Sequence, residues 1–248
     1  RAHFAFSKNP RISSKGINTG AVLGFINTVM QVLKKENPTH IGVAFDMKGP
    51  TFRHEEFPEY KAHREAQPED ITIAIPYIRA FLQGMNIPII EKAGFEADDV
   101  IGTLAKLGAK EDFDVFMMTP DKDYAQLVEE HIFMFKPAFM GNKIETLGIP
   151  EVLEKFQIER VEQVIDILGM EGDAADNIPG IPGVGKKTAI KLLAEYGSIE
   201  GLYENTDKLK GKLKEKVEAN KEQAFLSKRL ATIIIDVPVT FSADDLLV

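Results

Sequence analysis

The stretch IPIIEKAGFEADDVIGTLAKL, residues 87–107, joins a short apolar run to an amphipathic helix. IPII is typical of a β-strand, and the apolar spacing that follows predicts a helix from Phe95 onward. Three acidic residues, Glu96, Asp98 and Asp99, stand at this junction. Acidic side chains at a helix start cap its free amide groups, and they also bind cations, so both roles are open at this point.

Strand and helix patterns alternate on both sides of this stretch. Other strand-like runs end at Phe45, Met118 and Lys136, and helical patterns cover residues 18–36 and 68–85. Strands that alternate with helices predict a parallel sheet with helices on both faces. Strand signals fade after about residue 148, where short helical patterns begin. We therefore predict an α/β domain over residues 1–148 and a mostly helical domain over residues 149–248, packed against each other.

The composition is that of a folded protein without disulfides. The 248 residues are 44% hydrophobic and include no cysteine, which excludes thiolate metal sites and suits a reducing compartment. No apolar run approaches the roughly 20 residues that span a bilayer, and no signal peptide is visible, so we expect a cytoplasmic location without a membrane partner. The net charge of −8 does not by itself indicate nucleic-acid binding.

Acidic residues follow more than one predicted strand. Since ligands bind outside the carboxyl ends of strands in an open α/β sheet, these carboxylates are expected to converge. Clustered carboxylates repel one another, and hard divalent cations relieve that repulsion. Each acid alone fits a turn or a helix cap, but together they favour Mg²⁺ or Mn²⁺ over zinc, in a two-metal site for a phosphodiester. The predicted ligands are Asp46, Glu96, Asp98, Asp99, Asp121, Asp123, Asp173 and Asp176.

The stretch GIPGVGKKTAIKLL, residues 180–193, is the most specific motif of the second half. Two short helical patterns flank a turn rich in glycine and proline, and Lys186 and Lys187 open the second helix. Glycine lets the backbone approach a phosphate closely, and amide groups at a helix start bind it. This is the helix–hairpin–helix pattern, which holds the DNA backbone without reading sequence. The alternative is an ordinary turn between two helices.

The segment TFRHEEFPEYKAHRE, residues 51–65, mixes basic and aromatic side chains. Such a mixture suits single-stranded nucleic acid, because charges meet phosphates and rings meet bases. Four glutamates dilute the positive charge, so a solvated loop is the competing interpretation.

Four motifs together resemble the 5′-nuclease domains of bacterial DNA polymerases I, within the flap endonuclease family. They are VAFDMKGPTFRHEEFPEYKAHR (43–64), EADDVIGTLA (96–105), TPDKDYAQLV (119–128) and GDAADNIPGIPGVGKKTA (172–189). The resemblance implies a PIN-like core, a helical arch that admits a 5′ single strand and a helix–hairpin–helix module. It implies a structure-specific 5′-3′ exonuclease or flap endonuclease that cleaves 5′ flaps, nicked duplexes and RNA-primed duplexes in DNA replication and repair, in association with the nucleoid. A monomer is the simplest expectation.

The resemblance also assigns roles to residues. It gives the eight acids to two Mg²⁺ ions, with Mn²⁺ as an alternative, and a K⁺ ion to the hairpin. It places Lys61 and Arg64 near the scissile phosphate, and we count them with Asp98 as catalytic. The predicted DNA-binding residues are Arg53, Tyr60, Lys61, Arg64, Gly183, Gly185, Lys186, Lys187 and Thr188.

The start of the chain departs from the family pattern. The family begins with a β-strand that ends in a catalytic aspartate, whereas this sequence begins at Arg1, inside the segment that follows. We therefore expect that strand to be absent and its neighbours to expose apolar surface and unpaired backbone groups. The alternative function is then a non-catalytic DNA-binding fragment. A PIN-type ribonuclease is a second alternative, which the duplex-binding hairpin disfavours.

Overall fold

The computed structural model describes residues 10–137, 144–240 and 242–248, and Arg1, where the sequence departs from the family pattern, lies outside these ranges. The strands are β1 (Val43–Ala44), β2 (Ile89–Ile90), β3 (Val115–Met118), β4 (Ile132–Lys136) and β5 (Glu145–Leu147). The first helices are α1 (Gly20–Lys35), α2 (Phe52–Glu56), α3 (Glu69–Gly84) and α4 (Ala97–Lys110). The later helices are α5 (Ile149–Phe156), α6 (Gln163–Glu171), α7 (Lys186–Tyr196), α8 (Ile199–Glu204), α9 (Gly211–Ala219) and α10 (Lys221–Ala231). Short 3₁₀ helices cover Lys122–Leu127, Thr206–Lys208 and Ala243–Leu246.

Helix starts follow the polar residues that precede them. The Asn18 side chain accepts the amide of Gly20, the first residue of α1, at 3.0 Å. At α4, the Asp99 side chain accepts the amide of Glu96 at 3.1 Å. Side-chain acceptors of this kind replace the hydrogen bonds that the first turn of a helix lacks.

The parallel α/β architecture predicted from the sequence is confirmed. β1 pairs with β2 in parallel, and β3 pairs with β4 in parallel, with Val115 opposite Ile132. β5 was not predicted; it runs antiparallel to β4, with Met134 opposite Leu147. In the described residues the strands form two separate small sheets, β1-β2 and β3-β4-β5. The described elements after β5 are all helical, as the sequence predicts.

Two apolar cores lie on either side of the region where the acidic motifs meet. The larger core unites β3, β4 and α4 with α6, α7 and α10, and it includes Met117, Ile167 and Leu230. The smaller core lies between α1, α3 and β2 and includes Val29, Leu82 and Ile87. We call the boundary between them the seam. Among the described helices, none is long and apolar enough to cross a membrane.

Candidate metal centre and nucleic-acid interface

A cavity of about 200 Å³ lies at the seam, where the segments that follow β1 and β3 meet the start of α4. Six of the eight predicted metal ligands line it, and they come from four separate segments of the chain. Three basic side chains line it as well. The acids are Asp46, Glu96, Asp98, Asp121, Asp123 and Asp176, and the bases are Arg53, Lys61 and Arg64.

Asp98 and Asp123 lie in surroundings that disfavour their charge. Burial, followed by the negative charge of Glu96, raises the pKa of Asp98 to about 6. Burial, followed by the negative charge of Asp121, raises the pKa of Asp123 to about 7. The Oδ1 atom of Asp123 is buried and has no hydrogen-bond partner among the described residues. Neither of these two carboxylates therefore has enough positive charge nearby to offset its own negative charge.

Asp99 is the exception among the predicted ligands. It is fully buried, and both of its oxygens are held by the Arg53 guanidinium at 2.8 Å. The amides of Glu96 and Ile234 also donate to it, at 3.1 and 2.9 Å. With two donors on each oxygen, Asp99 serves as an internal anchor and helix cap rather than the predicted metal ligand.

Arg53 is also placed differently from its predicted role in DNA contact. Its side chain is 2% exposed, and besides Asp99 it donates to the carbonyls of Leu230 and Thr232 at 2.9 and 2.8 Å. A buried guanidinium with carbonyl and carboxylate partners has no face left for a phosphate. Instead, the Arg53–Asp99 pair ties α2 and α4 to the end of α10.

Tyr60 is buried as well, which differs from the predicted stacking on a base. Its hydroxyl donates to Glu96 Oε2 at 3.0 Å. The Lys61 ammonium reaches the other oxygen, Glu96 Oε1, at 2.5 Å. Lys61 itself has a left-handed backbone, with φ of +57°, a conformation that non-glycine residues seldom adopt outside functional or tightly held positions. Glu96 is thus oriented by two neighbouring side chains of the 51–65 segment.

The loop that carries Asp173 and Asp176 packs under the 51–65 segment. The Lys61 amide donates to the Asp176 carbonyl at 2.8 Å, and the Asn177 side chain donates to the Glu59 carbonyl at 2.7 Å. The Asp176 carboxylate forms an ion pair with Arg64, whose side chain is 54% exposed. Asp173 lies outside the cavity lining, 3.6 Å from the Lys122 ammonium. The segment predicted to form a helical arch has only the five-residue α2 as helix, followed by turns.

The donor set fits a hard divalent cation. It consists of carboxylate oxygens, two of them with raised pKa and one oxygen buried without a partner. In the part of the chain that the structure describes, no three of these acids are close enough to hold one metal ion. Lys61 and Arg64 lie between them and neutralise Glu96 and Asp176. The side chains present therefore suit metal ions, provided that the two bases move to other partners.

The hairpin between α6 and α7 has an exposed tip. Gly183 has a φ of +79°, and a Cβ there would collide with the ammonium of Lys216 on α9. The Gly185 carbonyl accepts the amides of Thr188 and Ala189, which leaves the amides of Lys186 and Lys187 pointing out of the first turn of α7. Gly185, Lys186 and Lys187 are exposed, and Thr188 is half-buried. This geometry suits the backbone of a nucleic acid.

Two family models match the chain almost end to end. The model described as the 5′-3′ exonuclease N-terminal resolvase-like domain matches residues 1–157. The model described as the 5′-3′ exonuclease C-terminal SAM fold matches residues 159–248. The chain belongs to the 5′-3′ exonuclease family.

Curated relatives of this exonuclease-family chain bear the name DNA polymerase I. The protein from Bacillus subtilis is 44% identical over 247 residues, and the one from Caldicellulosiruptor bescii is 42% identical over 248 residues. Each alignment covers 99% of this chain but only 28% and 29% of the respective relative. The chain thus spans little more than a quarter of the length of these relatives. Their similarity to the chain confirms the resemblance that its motifs indicate.

Solved structures of the T5 D15 protein and of Rad2 share the fold of this exonuclease-family chain. The T5 D15 protein co-crystallised with metal ions superposes with a TM-score of 0.71 at 23% identity, covering 85% of this chain and 82% of that one. The catalytic core of Rad2 in complex with DNA substrate superposes with a TM-score of 0.56 at 18% identity, covering 98% and 80%. At these identities the likeness establishes the fold alone.

Some cavity residues of this exonuclease-family chain were not predicted from the sequence. Thr119 and Tyr124 line the cavity, and the Thr119 hydroxyl accepts the amide of Asp121 at 3.1 Å. Both stand inside the acidic motif TPDKDY, which was the available signal. Leu230, Ala231 and Ile233 at the end of α10 also line the cavity. Their apolar side chains carry no chemical signal, and they lie more than 50 residues beyond the last of the acids in the sequence.

Proposed function

We propose that this chain is a metal-dependent 5′-3′ exonuclease and flap endonuclease. Its substrates are 5′ flaps, nicked duplexes and RNA-primed duplexes of DNA replication and repair, and it acts as a monomer. The observation that carries the proposal is the cavity at the seam, where carboxylates from four segments lie beside the basic side chains of Lys61 and Arg64. Membership of the exonuclease family supports it.

Seven carboxylates are proposed to hold two Mg²⁺ ions, with Mn²⁺ as a substitute. Asp46, Glu96 and Asp98 form one group, and Asp121, Asp123, Asp173 and Asp176 form the other. When bound, such ions lower the pKa of a coordinated water and stabilise charge on phosphoryl oxygens. Asp99 is left out because Arg53 and two amides already occupy its oxygens.

The basic side chains of the 51–65 segment are proposed to contact a phosphate of the 5′ strand. Lys61 and Arg64 pair with Glu96 and Asp176 in the free chain. A phosphate of the 5′ strand competes for the same cations, so substrate binding exchanges a carboxylate partner for a phosphate. The two positive charges then offset the negative charge that builds on the phosphate during hydrolysis. Tyr60 keeps Glu96 oriented through its hydroxyl hydrogen bond.

The hairpin is proposed to hold the duplex beside the cleavage site. The outward amides of Lys186 and Lys187 suit a backbone phosphate, and a K⁺ ion is proposed to bind at the Gly183–Gly185 turn. Backbone contacts of this kind bind duplexes of any sequence.

Cleavage of a labelled 5′-flap duplex tests the proposal. The flap, a plain duplex and a single-stranded RNA are each incubated with Mg²⁺ and with EDTA. We expect cleavage of the flap only, in Mg²⁺ only, and binding of the flap in both. Binding without cleavage would instead identify a non-catalytic DNA-binding fragment, and cleavage of the RNA alone would identify a ribonuclease.

Asp98→Asn tests the metal assignment within the same assay. We expect loss of at least about 100-fold in the cleavage rate, with unchanged flap binding in EDTA, since an oxyanion-stabilising or metal-holding group contributes this much. Asp236→Asn, which removes an exposed aspartate, is the matched control and is expected to cleave like the wild type. Full activity of Asp98→Asn at saturating Mg²⁺ would contradict the assignment.

A further inference from the structure

Three lysines converge on one side of the hairpin, away from the carboxylate cavity. Lys136 ends β4, Lys155 lies on α5 and Lys186 begins α7. Glu145 at the start of β5 is shared by two of them, at 3.4 Å from Lys136 Nζ and 3.5 Å from Lys155 Nζ. The Lys186 ammonium donates to the Lys155 carbonyl at 3.4 Å and lies 5.1 Å from the centre of the Phe156 ring. We call Lys136, Lys155, Lys186 and Glu145 the lysine cluster.

The lysine cluster has more positive than negative charge. Three ammonium groups and one carboxylate leave an excess of two positive charges, in a chain whose net charge is −8. The Lys136 side chain is only 15% exposed. Burial, followed by the nearby Lys155 ammonium, lowers the pKa of Lys136. An added anion relieves this crowding, because it supplies the counter-charge that a single shared carboxylate does not.

The position of the lysine cluster points to the kind of anion. Lys186 is the first residue of α7, so the cluster begins where the outward amides of the hairpin end. From there the row of lysines continues through Lys155 on α5 to Lys136 at the end of β4, beside the exposed Glu151 and Glu154 of α5. A duplex whose phosphates meet the hairpin amides therefore has further phosphates within reach of the lysine cluster, since phosphates recur along each strand every few ångströms.

We propose that the lysine cluster is a second binding site for the sugar–phosphate backbone of duplex DNA, adjoining the hairpin. Glu145 acts there as a resident anion that a backbone phosphate displaces. This inference rests on the proposed function, because it takes the hairpin to hold a duplex. The contact involves phosphates only, so it extends the bound length of duplex without adding sequence preference.

Binding of a labelled flap duplex in EDTA, measured by fluorescence anisotropy over a range of NaCl concentrations, tests the inference. For Lys136→Ala combined with Lys155→Ala, we expect affinity to fall about tenfold and the slope of log affinity against log salt to become shallower by about 1 to 2. For Glu145→Gln we expect tighter binding, by a few-fold. A folding defect weakens binding, so the gain in Glu145→Gln separates the inference from damage to the fold.

Lys214→Ala is the control for loss of a single lysine charge outside the lysine cluster, on α9, where Lys214 pairs with Glu218 at 3.8 Å. We expect its affinity and salt slope to equal those of the wild type. Wild-type affinity and slope in the double variant, or weaker binding by Glu145→Gln, would overturn the inference alone if the wild type still binds and cleaves the flap. A wild-type chain that does not bind the flap would overturn the proposed function as well.

Discussion

Asp98 and Asp99 are neighbours in sequence but have opposite surroundings. Asp99 accepts four hydrogen bonds in the interior, whereas Asp98 faces the cavity with a raised pKa. The two acids at the start of α4 thus have different roles, because Asp99 caps the helix and Asp98 remains free for a cation. The sequence predicts metal binding for both. Consecutive side chains at a helix start point in different directions, and the sequence does not show which of the two meets an arginine.

Arg53→Lys tests the anchoring role of the Arg53–Asp99 pair. Lysine keeps the positive charge but loses the bidentate contact with Asp99. It also loses the hydrogen bonds to the backbone carbonyls at the end of α10. Because the pair is buried, we expect the free energy of unfolding to fall by about 2–4 kcal/mol in urea denaturation.

The control for this substitution is Arg79→Lys, which alters a half-exposed pair with Glu91. We expect a loss of less than about 1 kcal/mol there. Equal losses in the two variants would show that burial of the Arg53–Asp99 pair contributes nothing extra.

Asp123 gives the metal-free chain a dependence on pH. Its folded pKa is about 7, above the ordinary value of 3.8, so the folded state binds more protons than the unfolded state between these two values. Stability therefore falls as pH rises from about 4 to 7 and stays low above pH 7. In EDTA at pH 8 we expect Asp123→Asn to be more stable than the wild type by on the order of 1–2 kcal/mol, with no difference near pH 4.

Thermal unfolding in EDTA at several pH values measures this effect, with Asp236→Asn as the exposed control. Addition of Mg²⁺ at pH 8 is expected to raise the unfolding temperature of the wild type more than that of Asp123→Asn, because only the wild type retains the carboxylate. A wild type that is more stable than Asp123→Asn at pH 8 in EDTA would contradict the expected loss of stability above pH 7.

At the scale of elements, the 172–180 loop is held in shape by close backbone contact. Asp173 and Ile178 exchange two backbone hydrogen bonds, at 2.9 and 2.8 Å. Gly180 has a φ of +63°, and a Cβ there would lie 2.6 Å from the carbonyl carbon of Glu171. The loop therefore presents Asp173 and Asp176 only as long as position 180 lacks a side chain.

Gly180→Ala is expected to destabilise the chain by more than about 1 kcal/mol and to weaken Mg²⁺ binding, as measured by denaturation and calorimetry. The control is Gly84→Ala at the end of α3, where nothing lies within 4 Å of a Cβ. Alanine there is expected to be neutral or stabilising by up to about 1 kcal/mol. Similar effects of the two substitutions would show that the backbone contact at Gly180 is dispensable.

Elements with a local sequence pattern of their own were predictable from the sequence, and elements that depend on distant partners were not. The pattern over residues 18–36 and the run HIFMFK correspond to α1 and β4. β5, with only three residues, and the 3₁₀ helix Lys122–Leu127 were missed, because their form depends on β4 and on the Asp121 side chain rather than on a local pattern. The helical arch was expected from the family resemblance. In the structure, turns make up most of the 51–65 segment, which packs against the 172–180 loop.

At the scale of the whole molecule, the two cores differ greatly in size. Among the described residues, the larger core contains 31 buried apolar residues and the smaller one contains six. Regions with few buried contacts open more readily than the molecule as a whole. Amide hydrogens of α1 and α3 are therefore expected to exchange with lower protection than those of α6 and α10.

Native-state hydrogen exchange with fragment-level mass spectrometry measures this difference. The comparison is internal, since all four helices belong to the same sample. Equal protection of α1 and α6 would indicate that the two cores open only together. The seam itself was beyond sequence reasoning, because the patterns show which residues are buried but not how many separate cores they form.

The convergence of distant acids at the seam is also expected to affect how the chain folds. Asp46, Asp98, Asp123 and Asp176 face one another only after segments up to 130 residues apart have come together. Their mutual repulsion is therefore absent during early collapse and is expected to oppose the final convergence of these segments, a step already slowed by loop closure. A divalent cation removes that repulsion, so stopped-flow refolding is expected to be faster with Mg²⁺ than with EDTA. The same ions proposed for hydrolysis would then also help these segments to converge.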